Sequence, residues 1–226
     1  MATYMEANRY EGIYEVPEAA LYLSGSMRLI TPLLNVSSTK LIYWIRRGLT
    51  SPDLAKLPGK ELLIAFEDLI SMRVIAALRA AGVSFKKIYL AEQWLRQTTG
   101  HPRPFATELL WTERSDIFAE FQKRLIAASR GGQYAMEILR SYLIPVHGLI
   151  FSEHGIASSW EPCEGILLHP LVQFGAPCIK GTRVPARTIW GMINGGDSIE
   201  LVAQSYGLEE KQIEEALEWE RALRVS

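Results

Sequence analysis

The feature that most constrains the fold is EDLISMRVIAALRAAGVSFKKIYLAEQWLRQ, residues 67–97, with a single break at Gly82-Val83-Ser84. Before the break, Leu69, Met72, Ile75 and Ala76 recur at helical spacing. After it, Ile88, Ala91 and Leu95 do the same. Such periodicity predicts two amphipathic helices joined by a tight turn, each needing an apolar surface to cover its stripe. HPRP, residues 101–104, follows and ends the pattern, because proline and the residue before it both resist helix.

Upstream, VPEAALYLSG predicts a short helix, with Pro17 in its first turn and Gly25 at its end. VSSTKLIYWIRRGL predicts another, capped by Ser37 or Ser38 and followed by Gly48, with Leu41 and Ile45 on its packing face. LPGKELLIAF reads as a small hairpin around Pro58-Gly59. In residues 105–170 the reading is mixed: QYAMEILRSYL suggests a helix, and HGLIFSEHGIASSW two short strands joined by Ser152 to Gly155. Helices are expected near 186–194, 198–206 and 210–223, with Asp197 and Glu200 as an acidic capping box and Gly207 between the last two. The expected fold is mainly α with small β elements (α+β). It divides into an N-terminal winged helix-turn-helix (1–100), a mixed α/β middle region (101–163) and a C-terminal three-helix, HTH-like domain (164–226).

Composition excludes several classes. Hydrophobic residues make up 48% and charged residues 22% of the 226, an ordinary globular balance. No apolar run reaches the ~18 residues a membrane helix needs, and MATYMEANRYEG lacks a signal-peptide core, so a cytoplasmic protein with no membrane partner is expected. Cys163 and Cys178 are too few for a disulfide framework, and the four histidines lack ligand spacing, so no metal, cofactor or catalytic residue is expected.

Net charge is −1, yet charge is segregated. Between Glu18 and Asp53 the only charged residues are Arg28, Lys40, Arg46 and Arg47, whereas the last helix is rich in glutamate. Local field governs binding to a polyanion. Lys40, Tyr43 and Arg47 fall on one helical face with Arg46 beside them, and Ser38 and Thr39 supply polar groups at the N-terminus for phosphate. Lys56 and Lys60 sit on the expected hairpin, where a wing would meet the DNA backbone.

YWIRRGL followed by LIAFEDLISMRVIAALRAAGVSFKKI resembles the winged-helix domain of MerR-type regulators over about residues 14–95. The resemblance implies that Tyr43, Arg46 and Arg47 lie at the DNA surface. Two features depart from that family: the linker SMRLITPLLNVSS is longer than its usual tight turn, and no long dimerisation helix follows.

The stretch FGAPCIKGTRVPARTIW lacks the spacing of a phosphate-binding loop and reads as a strand, a turn at Gly181-Thr182 and a helix near Pro185, with a rim of Lys180, Arg183 and Arg187. HPLVQFGAPCIKGTRVPARTIW is similar to the family called "domain of unknown function 433", which carries a G-x-P-x-I-x-G-T-R-x-P signature; the resemblance covers about residues 165–223. Joined to a winged helix, this domain resembles VapB-type antitoxins. That resemblance implies a non-enzymatic protein that binds operator DNA and neutralises a PIN-like ribonuclease toxin, with Lys180, Arg183 and Arg187 as candidate partner contacts. A free-standing transcription regulator with a ligand- or partner-binding C-terminal half is the alternative. A homodimer is expected, with Trp190 and Trp219 as candidate anchors.

Overall fold

A computed structural model describes residues 12–29, 35–49, 62–111, 120–121, 123 and 148–224. Among the described residues the first element is strand β1 (Ile13–Glu15), which turns directly into helix α1 (Val16–Arg28), with Pro17 in its first turn. Helix α2 (Ser38–Arg46) follows, capped by Ser37, whose hydroxyl accepts from the Lys40 backbone N–H at 3.3 Å. Strand β2 (Leu63–Ala65) leads into helix α3 (Phe66–Ala80), and helix α4 (Phe85–Thr99) completes the pair anticipated from periodicity. A 3₁₀ turn at Pro104–Ala106 and a short helix α5 (Glu108–Trp111) close this half.

The second half begins with strands β3 (Leu149–Phe151), β4 (Ala157–Cys163), β5 (Ile166–Leu168) and β6 (Cys178–Ile179), forming an antiparallel sheet in chain order. Helices α6 (Ala186–Asn194), α7 (Ile199–Tyr206) and α8 (Glu210–Arg224) follow. The fold is α+β, mainly helical, as the sequence periodicities require.

Two local expectations are corrected, at Gly25 and at Asp197. Strand β2 pairs with β1, antiparallel, with Ile13 opposite Ala65 and Glu15 opposite Leu63, while the rest of the expected hairpin lies outside the described residues. The Pro58-Gly59 turn, Lys56 and Lys60 lie outside the described residues, as does QYAMEILRSYL. Gly25 does not end α1, which runs three residues further. Its missing side chain serves packing instead: a Cβ there would lie 2.3 Å from Leu223 Cδ2 of α8. At α7 the cap is Ser198, whose hydroxyl accepts from the Leu201 N–H, rather than Asp197.

One continuous core runs through both halves. Helix α8 lies against α1 and α6, placing Trp219, fully buried, beside Tyr22 with ring centroids 6.4 Å apart. Arg28, in the last turn of α1, donates from Nη1 to the carbonyls of Ala222 (2.9 Å) and Leu223 (3.2 Å). A cation thus meets the electronegative C-terminus of α8 and satisfies carbonyls left without helical partners. Arg103, from the HPRP segment, forms a forked ion pair with Asp68 in the first turn of α3, Nε to Oδ1 at 2.8 Å and Nη2 to Oδ2 at 3.2 Å.

Candidate nucleic-acid and partner interface

Helix α2 buries Leu41 completely and Trp44 almost completely, so its packing face runs through positions 41 and 44, with Ile42 and Ile45 at its edges. The rest of the helix faces outward. Thr39, Lys40, Tyr43, Arg46 and Arg47 are exposed, and Ser38 is half-buried. Tyr43 is 48% exposed, yet its ring is held from two sides: Phe85 of α4 meets it edge-on at 5.5 Å, and the Arg47 guanidinium lies 5.2 Å from its centroid. Lys40 Nζ donates to the Asn35 carbonyl at 2.8 Å, leaving its charge at the mouth of a cavity of about 380 Å³ lined by Met27, Val36, Trp44, Ala76 and Phe85, with Arg79 at its rim. The predicted residues of α2 therefore share one outward face, while Lys60 falls outside the described residues.

The second candidate surface is built on β5, β6 and the turn beyond. Gly181 adopts φ 80°, the Thr182 hydroxyl donates to the Ile179 carbonyl at 2.8 Å, and the Val184 N–H donates to that same hydroxyl oxygen at 3.0 Å. The turn expected at Gly181-Thr182 is thus present and stitched internally by Thr182, and Pro185 is the N-cap of α6, one position before its first residue. Of the three rim cations, Lys180 forms an ion pair with Glu161 at 2.6 Å. Arg183 and Arg187 are exposed, and among the described residues neither guanidinium has a hydrogen bond or ion pair.

Two apolar residues beside this rim escaped the sequence reading. Phe174 is 81% exposed and Leu171 62% exposed. Gln173 and Phe174 have φ of 48° and 56°, a left-handed conformation that bulky residues rarely adopt. No sequence signal marks a phenylalanine as left-handed; Gly175 immediately after it was the only available hint.

Both cysteines hold their protons, and His101 and His169 close local turns. Burial, with help from Glu218, Glu161 and Glu215, pushes the Cys163 thiol up to about 12, so little thiolate exists at neutral pH. Burial likewise pushes Cys178 up to about 11, against the opposing pull of Arg183 and Arg187. His101 Nδ1 accepts from the Arg103 N–H and His169 Nδ1 from the Leu171 N–H, each closing a local turn. Among the described residues no group of three or more His, Cys, Asp or Glu side chains is arranged to hold a metal ion, and no helix is long and apolar enough to cross a membrane.

The candidate anchors Trp190 and Trp219 are engaged within the chain. Trp219 is wholly buried, and Trp190 is half-buried under the Arg224 guanidinium, 4.5 Å from its ring centroid.

Residues 166–219, the stretch that builds β5, β6 and the three final helices, match the family described as "Protein of unknown function (DUF433)". Over a larger span, the chain is 26% identical across 187 residues to the protein named "Putative antitoxin VapB45" of Mycobacterium tuberculosis (strain ATCC 25618 / H37Rv), covering 74% of this chain and 77% of that one. The crystal structure of Rv2018 from Mycobacterium tuberculosis superposes with a TM-score of 0.68 at 22% identity, over 91% of this chain and 96% of that one. At that identity the likeness is one of fold, and it extends through both halves.

Proposed function

We propose that this chain is the antitoxin of a bacterial toxin-antitoxin pair, a non-enzymatic, cytoplasmic protein that binds operator DNA and neutralises a PIN-like ribonuclease. The antitoxin part rests on the similarity to the mycobacterial protein of that name along three quarters of the chain. The observation that carries the DNA-binding part is the outward face of α2, where Lys40, Tyr43, Arg46 and Arg47 stand exposed together while Leu41 and Trp44 anchor the helix from behind. A helix so mounted can offer cations to phosphates and forked donors to base edges in a major groove. In this reading residues 1–100 form a MerR-like winged helix, with Ser38, Thr39 and Lys60 as phosphate contacts, residues 101–163 a middle region and residues 164–226 the partner-binding domain. Lys180, Arg183 and Arg187 face the ribonuclease, and a homodimer places two copies of α2 on two half-sites.

The test is operator binding by the purified protein, using the DNA upstream of its own gene. Replacing Lys40, Tyr43, Arg46 and Arg47 together with Ala is expected to abolish binding without changing the melting temperature by more than a few degrees. Arg47→Ala alone should cost about 1–3 kcal/mol if it reads a base, or lower the salt slope by about one if it meets a phosphate. Undiminished binding by the quadruple variant would remove α2 from the interface.

The alternative, a free-standing regulator, is favoured by one feature, the cavity of about 380 Å³ behind α2 with Lys40 and Arg79 at its edge. Its size and apolar lining suit a small amphipathic anion. Absence of a ribonuclease gene beside this one, together with ligand-dependent operator affinity, would favour this second reading.

A further inference from the structure

The surface around Phe174 combines four properties that ordinary solvent-facing turns lack: a large exposed aromatic, backbone strain, rigid bracing and unpaired cations. Phe174 and Leu171 project into solvent within four residues of each other. Two consecutive residues, Gln173 and Phe174, sit in left-handed backbone. Such strain persists only where the surroundings over-determine it.

The surroundings do so from beneath. Gly175 has φ 89°, and a Cβ on it would lie 2.2 Å from the Tyr14 hydroxyl and 3.2 Å from Gly12 Cα, so β1 presses directly on this turn. Tyr14, itself buried, donates to the Gly175 carbonyl at 3.0 Å. From the side, the Gln173 amide donates to the Arg183 carbonyl at 3.1 Å, tying the turn to the cationic rim. The backbone that carries the aromatic is therefore held in place before any partner arrives, which lowers the ordering cost of binding. A purely structural turn would place glycine or asparagine at these positions.

We infer that Phe174 is the anchor of a protein-docking surface, together with Leu171 and with Arg183 and Arg187, which are unpaired among the described residues, and that its partner presents an apolar pocket rimmed by carboxylates. Charge decides the occupant: Arg183 is tied to this turn through Gln173, Arg187 follows in the first turn of α6, and neither has a carboxylate partner among the described residues, while aromatic and arginine side chains are the residues that most often carry an interface's affinity. The inference rests on the antitoxin reading, in which the partner is the ribonuclease, and it names the residue on which that contact turns.

The experiment measures affinity between the full-length chain and the ribonuclease encoded beside it, by titration calorimetry. Phe174→Ala is expected to weaken binding roughly thirtyfold, and Arg187→Glu to weaken it and to flatten the salt dependence. Phe174→Gly supplies the folding control, because glycine takes a positive φ without strain. It should weaken binding as much as Phe174→Ala while the isolated chain melts no lower than wild type. Phe174→Ala binding within threefold of wild type overturns the inference and leaves the antitoxin reading standing. A Phe174→Gly variant that melts several degrees lower overturns it as well, by making Phe174 a structural residue. Loss of self-association in either Phe174 variant would hand the surface to a second copy and overturn the assignment to an acidic partner. A wild-type chain that neither binds nor inhibits the ribonuclease overturns both readings together.

Discussion

Arg73 sits in the middle of α3 with no exposed surface, and among the described residues none of its three guanidinium nitrogens has a hydrogen-bond partner. Burial pushes it down to about 9. A buried cation without a carboxylate is costly, and replacing buried ionic groups with apolar ones of similar length is often stabilising by about 1–4 kcal/mol. Arg73→Met is therefore expected to raise stability within that range in urea unfolding, at pH 7, where Arg73 is charged in both states. A loss of more than 1 kcal/mol would mean that the guanidinium has a partner. Cys163 behaves oppositely with pH. Its thiol loses its proton near 9 in the unfolded chain and near 12 in the folded one. Between those values the folded state holds the extra proton, so the stability contribution is complete below pH 9 and is lost as pH rises. Wild type should lose stability more steeply between pH 8 and 10.5 than Cys163→Ala, and parallel curves would refute the assignment. A free, buried thiol is what the sequence leads one to expect of Cys163, but Arg73 was not legible: it reads there as one more charge on an amphipathic helix, and only tertiary packing turns its position inward.

Elements were more legible than residues, for reasons visible in α2 and in the β1–β2 pair. Helix α2 carries a capping serine, a narrow apolar stripe and a cationic remainder, three signals that agree, so its outward face could be read from spacing alone. Trp44 shifted the stripe from Leu41 and Ile45 to Leu41 and Trp44, a rotation of one position that leaves Lys40, Tyr43, Arg46 and Arg47 outside. The partner of β2 was not legible, because three residues such as Leu63–Ala65 carry no information about which strand they meet. That strand pairing is long-range, and it puts β1 under the Phe174 turn. The candidate docking surface thus depends on a contact between Tyr14 and Gly175, 161 residues apart, which no local pattern encodes.

At the scale of the whole molecule, the contact between α1 and α8 determines whether the two ends of the chain behave as one body. Gly25 admits Leu223, Trp219 lies beside Tyr22, and Arg28 closes the C-terminus of α8 with two charge-assisted bonds. Each hydrogen bond to a charged group contributes about 1.5–3 kcal/mol at most, and a half-exposed one less. Arg28→Met keeps most of the aliphatic stem and removes only the donor, so it isolates the bonds from the packing. The expected cost is about 1–2 kcal/mol, read as a lower urea midpoint with an unchanged slope. Hydrogen exchange carries the finer prediction. Because α1 also supports α2 and α3 while α8 supports α6, weakening this joint should lower amide protection in α1 and α8 together, in one cooperative unit. Protection lost in the last turn of α8 alone would mean that Arg28 merely tidies a fraying end, and that the outward face of α2 and the Phe174 turn rest on structures able to open independently.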